Sequence, residues 1–407
     1  MPRAHQTQRS RSAGPSARVV LLWAAVAQAA VAFINFGLPS VGPALRDAYG
    51  LSLPAYGAAV TATLLGAGAS LIAWGFLVDR FGSQLSVLIG TTIAVVSVVA
   101  AAATSSSAVL IAALFCSGLG TSVIPIAGAG ALFKVYGAER RAWALGVRQM
   151  AVPLGGTTAA LALPGMEHAV DVHAVLYLTA ALIGFTGIAF SFVANAGDAP
   201  GSRLVGFALL RILRVRRMWT IFAISVLYIM ALQSSLTYLV PSTRDAGLTA
   251  FGAGAAYVVL NVSAAVCRIF WGKVADRGGG RRRGRSLVEV GLLTAVGALA
   301  CAASLHGGGL ATILPAVALF GFGAFGWNHL VYVSAGESVP PEIAGQAVAV
   351  AATVVFGVSG VLTAPIGALA DAHGWDPVWL LMGGFSLLGA VMARRLKELP
   401  AQAPPAS

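Results

Sequence analysis

Apolar residues run along this chain in blocks of about twenty, parted by short polar turns. The blocks fall near 19–40, 56–78, 84–104, 109–133, 142–163, 173–194, 219–240, 250–272, 286–305, 309–334, 344–368 and 377–393. Wound as a helix, each covers the ~30 Å hydrocarbon core of a bilayer. The pattern predicts twelve membrane-spanning helices. The longest polar connection, 195–218, follows the sixth block and carries Arg203, Arg211, Arg214, Arg216 and Arg217. It divides the chain into a six-helix bundle at 19–194 and a second at 219–393. Residues 204–219 are basic and amphipathic, which suits a helix lying on an anionic leaflet. The polar, Arg-rich stretch 1–18 reads as a disordered tail. The run behind it is longer than a signal-peptide core, so it is expected to stay as the first helix. Residues 394–407 read as a second tail.

The polar turns repeat. Gly75-Phe-Leu-Val-Asp79-Arg80 ends the second run, and Gly272-Lys-Val-Ala-Asp276-Arg277 ends the eighth. Gly118-Leu-Gly120 in the fourth run matches Gly321-Phe-Gly323 in the tenth, 203 residues later. Glu139 before the fifth matches Glu342 before the eleventh at the same offset. A charged turn placed alike in two halves signals a duplicated membrane domain.

Composition agrees: 58% of the 407 residues are hydrophobic and 10% charged, against roughly 25% charged in soluble domains. The net charge of +12 suggests nucleic acid until its distribution is read. With the N-terminus inside, 22 of the 26 lysines and arginines fall in tails and loops on the inner side, and only Arg46 and Arg244 face out. That bias predicts both termini in the cytoplasm and accounts for the charge without a nucleic-acid partner. Cys116, Cys267 and Cys301 all lie in apolar runs and read as small buried hydrophobes rather than a disulfide or metal framework.

Twelve spans in two halves, with G-x-x-x-D-R turns after the second and eighth, resemble the major facilitator superfamily over residues 19–393. The first turn departs at its end: Ser83 and Gln84 stand where the family usually has basic residues, while Arg281 to Arg283 supply an excess in the second. The resemblance implies an all-α membrane protein of two pseudo-symmetric six-helix bundles that rock around a central solute site. It implies a transporter in the cell (inner) membrane, acting as a monomer, with no enzyme activity and no cofactor or metal. It also assigns the inner gate to Gly75, Asp79, Arg80, Gly272, Asp276, Arg277, Glu139 and Glu342. Asp79 would meet the start of the eleventh span and Asp276 the start of the fifth, where a carboxylate can cap a helix. The plainer alternative is a turn that only sets topology. The arginines crowding Asp276 make Asp79 the more sensitive of the two.

Arg148 and Arg268 are the two arginines inside spans. A charge there is a candidate site, although both lie near an interface to which arginine can snorkel. Tyr257 and Asn261 share a helical face with Arg268, Gln28 pairs with Asn35 on the first span, and Gln233 with Thr237 on the seventh. Such stripes also serve as interhelical glue. His329 in the tenth span reads as a proton relay, a solute ligand or a core histidine.

An arginine eight residues before the second Asp resembles carboxylate transporters of the superfamily. Between Ala344 and Ala368 there is no basic residue, where some carboxylate exchangers carry one, which disfavours dicarboxylates more than monoanions. The expected cargo is therefore a small, monocarboxylate-like organic anion, moved by symport with a proton or exchange for a counter-anion. The alternative is drug or metabolite efflux, kept by a partial match of Pro153-Leu-Gly155-Gly156 to an antiporter motif. The G-x-G-x-x-G at Gly321 to Gly326 has no βαβ context and reads as a packing motif.

Overall fold

The computed structural model describes residues 15–51, 53–169, 171–195, 208–277, 282–307 and 309–396. The tails at 1–14 and 397–407, and most of the central connection, lie outside the described residues. Among those described, every regular element is helical. The first half holds α1 (Ala17–Gly37), α2 (Gly42–Tyr49), α3 (Leu53–Phe81), α4 (Ser83–Ala102), α5 (Ser107–Thr121), α6 (Val123–Val135), α7 (Arg141–Ala169) and α8 (Val172–Ala194). After the one-turn α9 (Leu209–Leu213) come α10 (Arg216–Asp245), α11 (Ala250–Asp276), α12 (Arg283–Leu305), α13 (Leu310–Ala324), α14 (Asn328–Gly336), α15 (Ala344–His373) and α16 (Trp375–Ala393).

Among the described residues, eleven segments, with α5–α6 and α13–α14 each counted as one, are long and apolar enough to span a bilayer. The twelfth is α7, whose 29 residues give it the length, ~43 Å. Twelve spans, as predicted, make this a multi-pass membrane protein. Large apolar side chains such as Phe185 and Phe192 stand exposed on the outside, where lipid is their solvent. The interior is built largely of alanine, glycine and small hydroxyl residues, which let helix backbones approach closely.

The duplication reaches individual contacts. A Cβ at Gly118 would collide with the Thr63 carbonyl on α3, and one at Gly120 with the Gly90 carbonyl on α4. In the second half, Gly321 packs on Leu260 and Ser263 of α11, and Gly323 on Thr294 of α12. Trp74 on α3 donates its indole N–H to the Leu119 carbonyl (2.6 Å), and Trp271 on α11 donates to Phe322 (3.0 Å). Leu119 and Phe322 are the middle residues of the two G-x-G triplets. Each half therefore anchors its fourth span to its second in the same way.

Three features depart from the sequence reading. The fourth and tenth spans are each broken, at Ser122 and at Phe325 to Trp327, although their apolar runs are continuous. Pro125 in the first turn of α6 lacks the N–H that would bond back to α5. The 204–219 segment is not one surface helix, because α10 begins at Arg216 and absorbs Arg217 and Trp219. Finally, a short helix, α2, follows the first span. It ends on Gly50 at φ 58°, and its Tyr49 hydroxyl donates to the Ala101 carbonyl (2.7 Å).

Candidate functional site

The two halves meet along α7 against α11 and α3 against α15. Gly75 lies against Ala349 and Gln346, and Gly272 against Ala142 and Trp143. These glycines bring both Asp-Arg turns onto the opposite half. Asp276 caps α7: its Oδ1 accepts from Ala142 N (3.0 Å) and its Oδ2 from Trp143 N (2.6 Å). Asp79 meets the first turn of α15 through Gln346, which bonds it by side chain and backbone, and it lies close to Gly345. The Gln346 Oε1 also accepts from Ala208 N in the central connection (2.9 Å).

Around Asp276 a second set of charges crosses between the halves. The Arg283 guanidinium lies 3.6 Å from Asp276 Oδ1, donates to the Ala138 carbonyl (2.8 Å), and pairs with Glu337. Arg141 of α7 donates to the other Glu337 oxygen (3.0 Å) and to the Phe133 carbonyl (3.1 Å), with its guanidinium 4.8 Å from the Phe133 ring. Glu337 thus binds one arginine from each half, and all three side chains are at least 86% buried. The other proposed gate residues are peripheral. Arg80 rests on the rings of Phe76 and Phe81 (5.7 and 5.5 Å). Arg277 and Glu139 are exposed and rim a surface hollow with Arg140, Trp143 and Lys273. Glu342 is exposed in a single 3-10 turn. Glu139 and Glu342 share a repeat offset in the sequence; the carboxylates that reach across the halves here are Asp276 and Glu337.

The centre is different. Arg148 is 1% and Arg268 4% exposed. Arg268 lies eight residues from the end of α11, ~12 Å inside, so neither side chain snorkels to an interface. The helices α7 and α11 cross where a Cβ at Gly146 would strike the Arg268 carbonyl, so Arg148 sits two residues from the crossing. The Nη1 of Arg148 donates to the Pro125 carbonyl in the first turn of α6 (2.9 Å) and to Gln28 Oε1 (3.3 Å); its Nε is unpartnered. Arg268 leaves both Nε and Nη1 unpartnered, with its guanidinium 5.6 Å from the Phe325 ring. Tyr332 on α14 is only 7% exposed. Among the described residues neither arginine has a carboxylate partner.

His329 lies on the same half-helix, wholly buried, with both ring nitrogens unpartnered. Its ring faces Gly146 of α7. Among the described residues, the remaining candidates make no hydrogen bond to either arginine. Asn261 donates to the Tyr257 carbonyl (2.9 Å), which holds these two on α11 to each other. Asn35 has an unpartnered Oδ1, and Thr237 bonds back to the Gln233 carbonyl (3.0 Å). Sequence reading missed Tyr332, Glu337 as a hub, and Gln346. A signal existed for Tyr332, which falls three residues after His329 and so on the same helical face.

The architecture defines a class: a duplicated, multi-pass helical membrane protein whose two bundles are latched at one end and share buried charge at their centre. The Major Facilitator Superfamily profile matches residues 24–365, and the chain belongs to that family. Among curated proteins, the Uncharacterized MFS-type transporter Rv2994 of Mycobacterium tuberculosis is 25% identical over 256 residues, 62% of this chain and 57% of that protein. The chain therefore matches little more than half the length of this relative. Among solved structures, the proton:xylose symporter XylE superposes with a TM-score of 0.75 at 13% identity, over 93% of this chain and 95% of that one. The fucose:proton symporter FucP of E. coli gives 0.75 at 15%, covering 93% and 99%. The human organic anion transporter MFSD10 gives 0.67 at 15%, covering 93% and 100%. At these identities the likeness shows the fold alone.

Proposed function

We propose that this protein is a secondary transporter of a small organic anion, worked by rocking the two bundles about Arg148 and Arg268. The carrying observation is a pair of fully buried guanidiniums, one from each half, with unpartnered N–H groups and no carboxylate. Burying a charge is costly unless it is paired and hydrogen-bonded, and arginine stays protonated. A bound anion supplies both the charge and the acceptors. Guanidinium N–H groups match a carboxylate in two-pronged fashion, so Arg268, the less satisfied of the two, is the principal anchor. The solved relatives include proton–sugar symporters and an organic anion transporter, so the fold does not choose the cargo; the buried arginines do.

In this reading Asp276, Asp79 and the Glu337 pairings hold one end shut while the other admits solute. The basic bias makes the latched end cytoplasmic, with the protein in the inner membrane and both termini inside. A cysteine replacing Ser105, in the exposed turn between α4 and α5, is then expected to react with an impermeant thiol reagent on intact cells, while one replacing Arg395 stays protected. Reversed labelling overturns the orientation. The functional test is counterflow in proteoliposomes. Uptake driven by organic anions, and by neither cations nor neutral sugars, is expected and should vanish in Arg268→Ala. Counterflow by organic cations in both proteins moves efflux to first place.

A further inference from the structure

The two arginines carry the reading further than a single Arg268–monocarboxylate pair. Arg148 and Arg268 belong to opposite halves, yet the crossing at Gly146 sets them at one level of the bundle. Each guanidinium is more than nine-tenths buried, and each has at least one N–H without a partner. The neutral groups nearby offset neither charge: Gln28 and Pro125 accept from Arg148 without neutralising it, and Phe325 offers only a ring face to Arg268. The site therefore holds two positive charges in a low-dielectric setting, where Coulomb terms are weakly screened.

From this we infer that the preferred solute is a dianion, such as a short dicarboxylate, held with one charged end on Arg148 and the other on Arg268. This rests on the anion reading above and names its substrate class. A monoanion leaves one guanidinium uncompensated; a dianion compensates both. The second basic group that sequence comparison sought in the eleventh span is supplied instead by α7. Because the arginines come from different halves, a bridging dianion also ties the bundles together around itself, whereas a monoanion on Arg268 binds one bundle only. His329 of α14, with both ring nitrogens unpartnered, offers a further polar contact.

The test is equilibrium binding by calorimetry to the purified full chain, with matched probes: malonate and succinate against acetate and butyrate, all above pH 7 so that the diacids are fully ionised. Wild type is expected to bind at least one dicarboxylate ten-fold or more tighter than either monocarboxylate. Arg148→Gln should erase that preference while retaining monocarboxylate binding. Arg148→Lys, which keeps the charge, should retain a measurable preference and guards against a merely structural loss. Monocarboxylates binding as tightly as dicarboxylates, in a manner that needs Arg268, would overturn the dianion inference and leave the anion reading standing. A dicarboxylate preference that survives Arg148→Gln would overturn it too. Absence of binding by all four probes counts against the anion reading itself, and the inference falls with it.

Discussion

Arg141 and Arg283 at the latched end, and Arg148 and Arg268 at the centre, are the same side chain in opposite circumstances. The first pair shares Glu337 and lies beside Asp276. The second pair is buried more deeply and, among the described residues, has no carboxylate partner. Breaking a buried ion pair by removing one partner is costly, because the survivor is left uncompensated. The latch spends its arginines on a fixed structure. The centre leaves two in the state that a broken pair would leave. In the proposed reading, that difference separates residues that hold the bundles from residues that meet the solute.

The contrast can be broken from the latch side. Glu337→Gln leaves Arg141 and Arg283 without their shared counter-charge and is expected to have the largest structural effect, about 3–5 kcal/mol on the latched arrangement. It should appear as a marked fall in the melting temperature of the purified protein. A melting curve indistinguishable from wild type would make Glu337 incidental.

Asp276→Asn comes next. It weakens two backbone N–H contacts to a charged acceptor, each worth about 1.5–3 kcal/mol in full, though asparagine keeps part of them. Asp79→Asn should cost less, roughly 0.3–1 kcal/mol and at most about 2, since Asp79 is only half-buried and meets α15 through Gln346 alone. The sequence suggests the reverse order, because it shows arginines crowding Asp276 but hides the two amides that Asp276 caps. Melting temperatures of the two variants, measured together, decide between the rankings. Arg80→Gln should stay within about 0.5 kcal/mol of wild type, as an exposed surface change; a larger loss would mean that its contacts with Phe76 and Phe81 fix the turn.

The same contrast shows where sequence reading stops. The twelve spans were legible because lipid imposes length and apolarity on every crossing segment. The duplication was legible because glycines at forced close approaches, Gly118, Gly120, Gly321 and Gly323, leave a fixed spacing. Arg148 and Arg268 stood out as charges in apolar runs. What stayed hidden depends on which helices touch. Arg141 and Arg283 count in the sequence only toward a charge bias, and Glu337 only as an acid at a span end; their pairing needs the tenth span laid between α7 and α12. Glu139 and Glu342 repeat perfectly in sequence and yet sit exposed, because repeat position records ancestry rather than burial. The breaks at Ser122 and at Phe325 to Trp327 are invisible in hydropathy, since the residues on either side remain apolar. Just past the first of those breaks, the Pro125 carbonyl accepts from Arg148.

The measurement that meets the central claim most directly is ligand-induced stabilisation across the two arginine environments. A ligand that binds only the folded state raises its stability by RT ln(1 + [L]/Kd), so thermal unfolding with and without small organic anions reads binding even in a weakened protein. Succinate, or acetate at higher concentration, is expected to raise the melting temperature of wild type and of Glu337→Gln, whose centre is intact. Arg268→Ala should lose the effect, since truncating one partner of a desolvated charge pair costs about 2–5 kcal/mol, roughly 30-fold or more in affinity. If anions stabilise Arg268→Ala as much as wild type, or if Glu337→Gln abolishes the shift while Arg268→Ala keeps it, the central arginines do not hold the solute and the account is wrong.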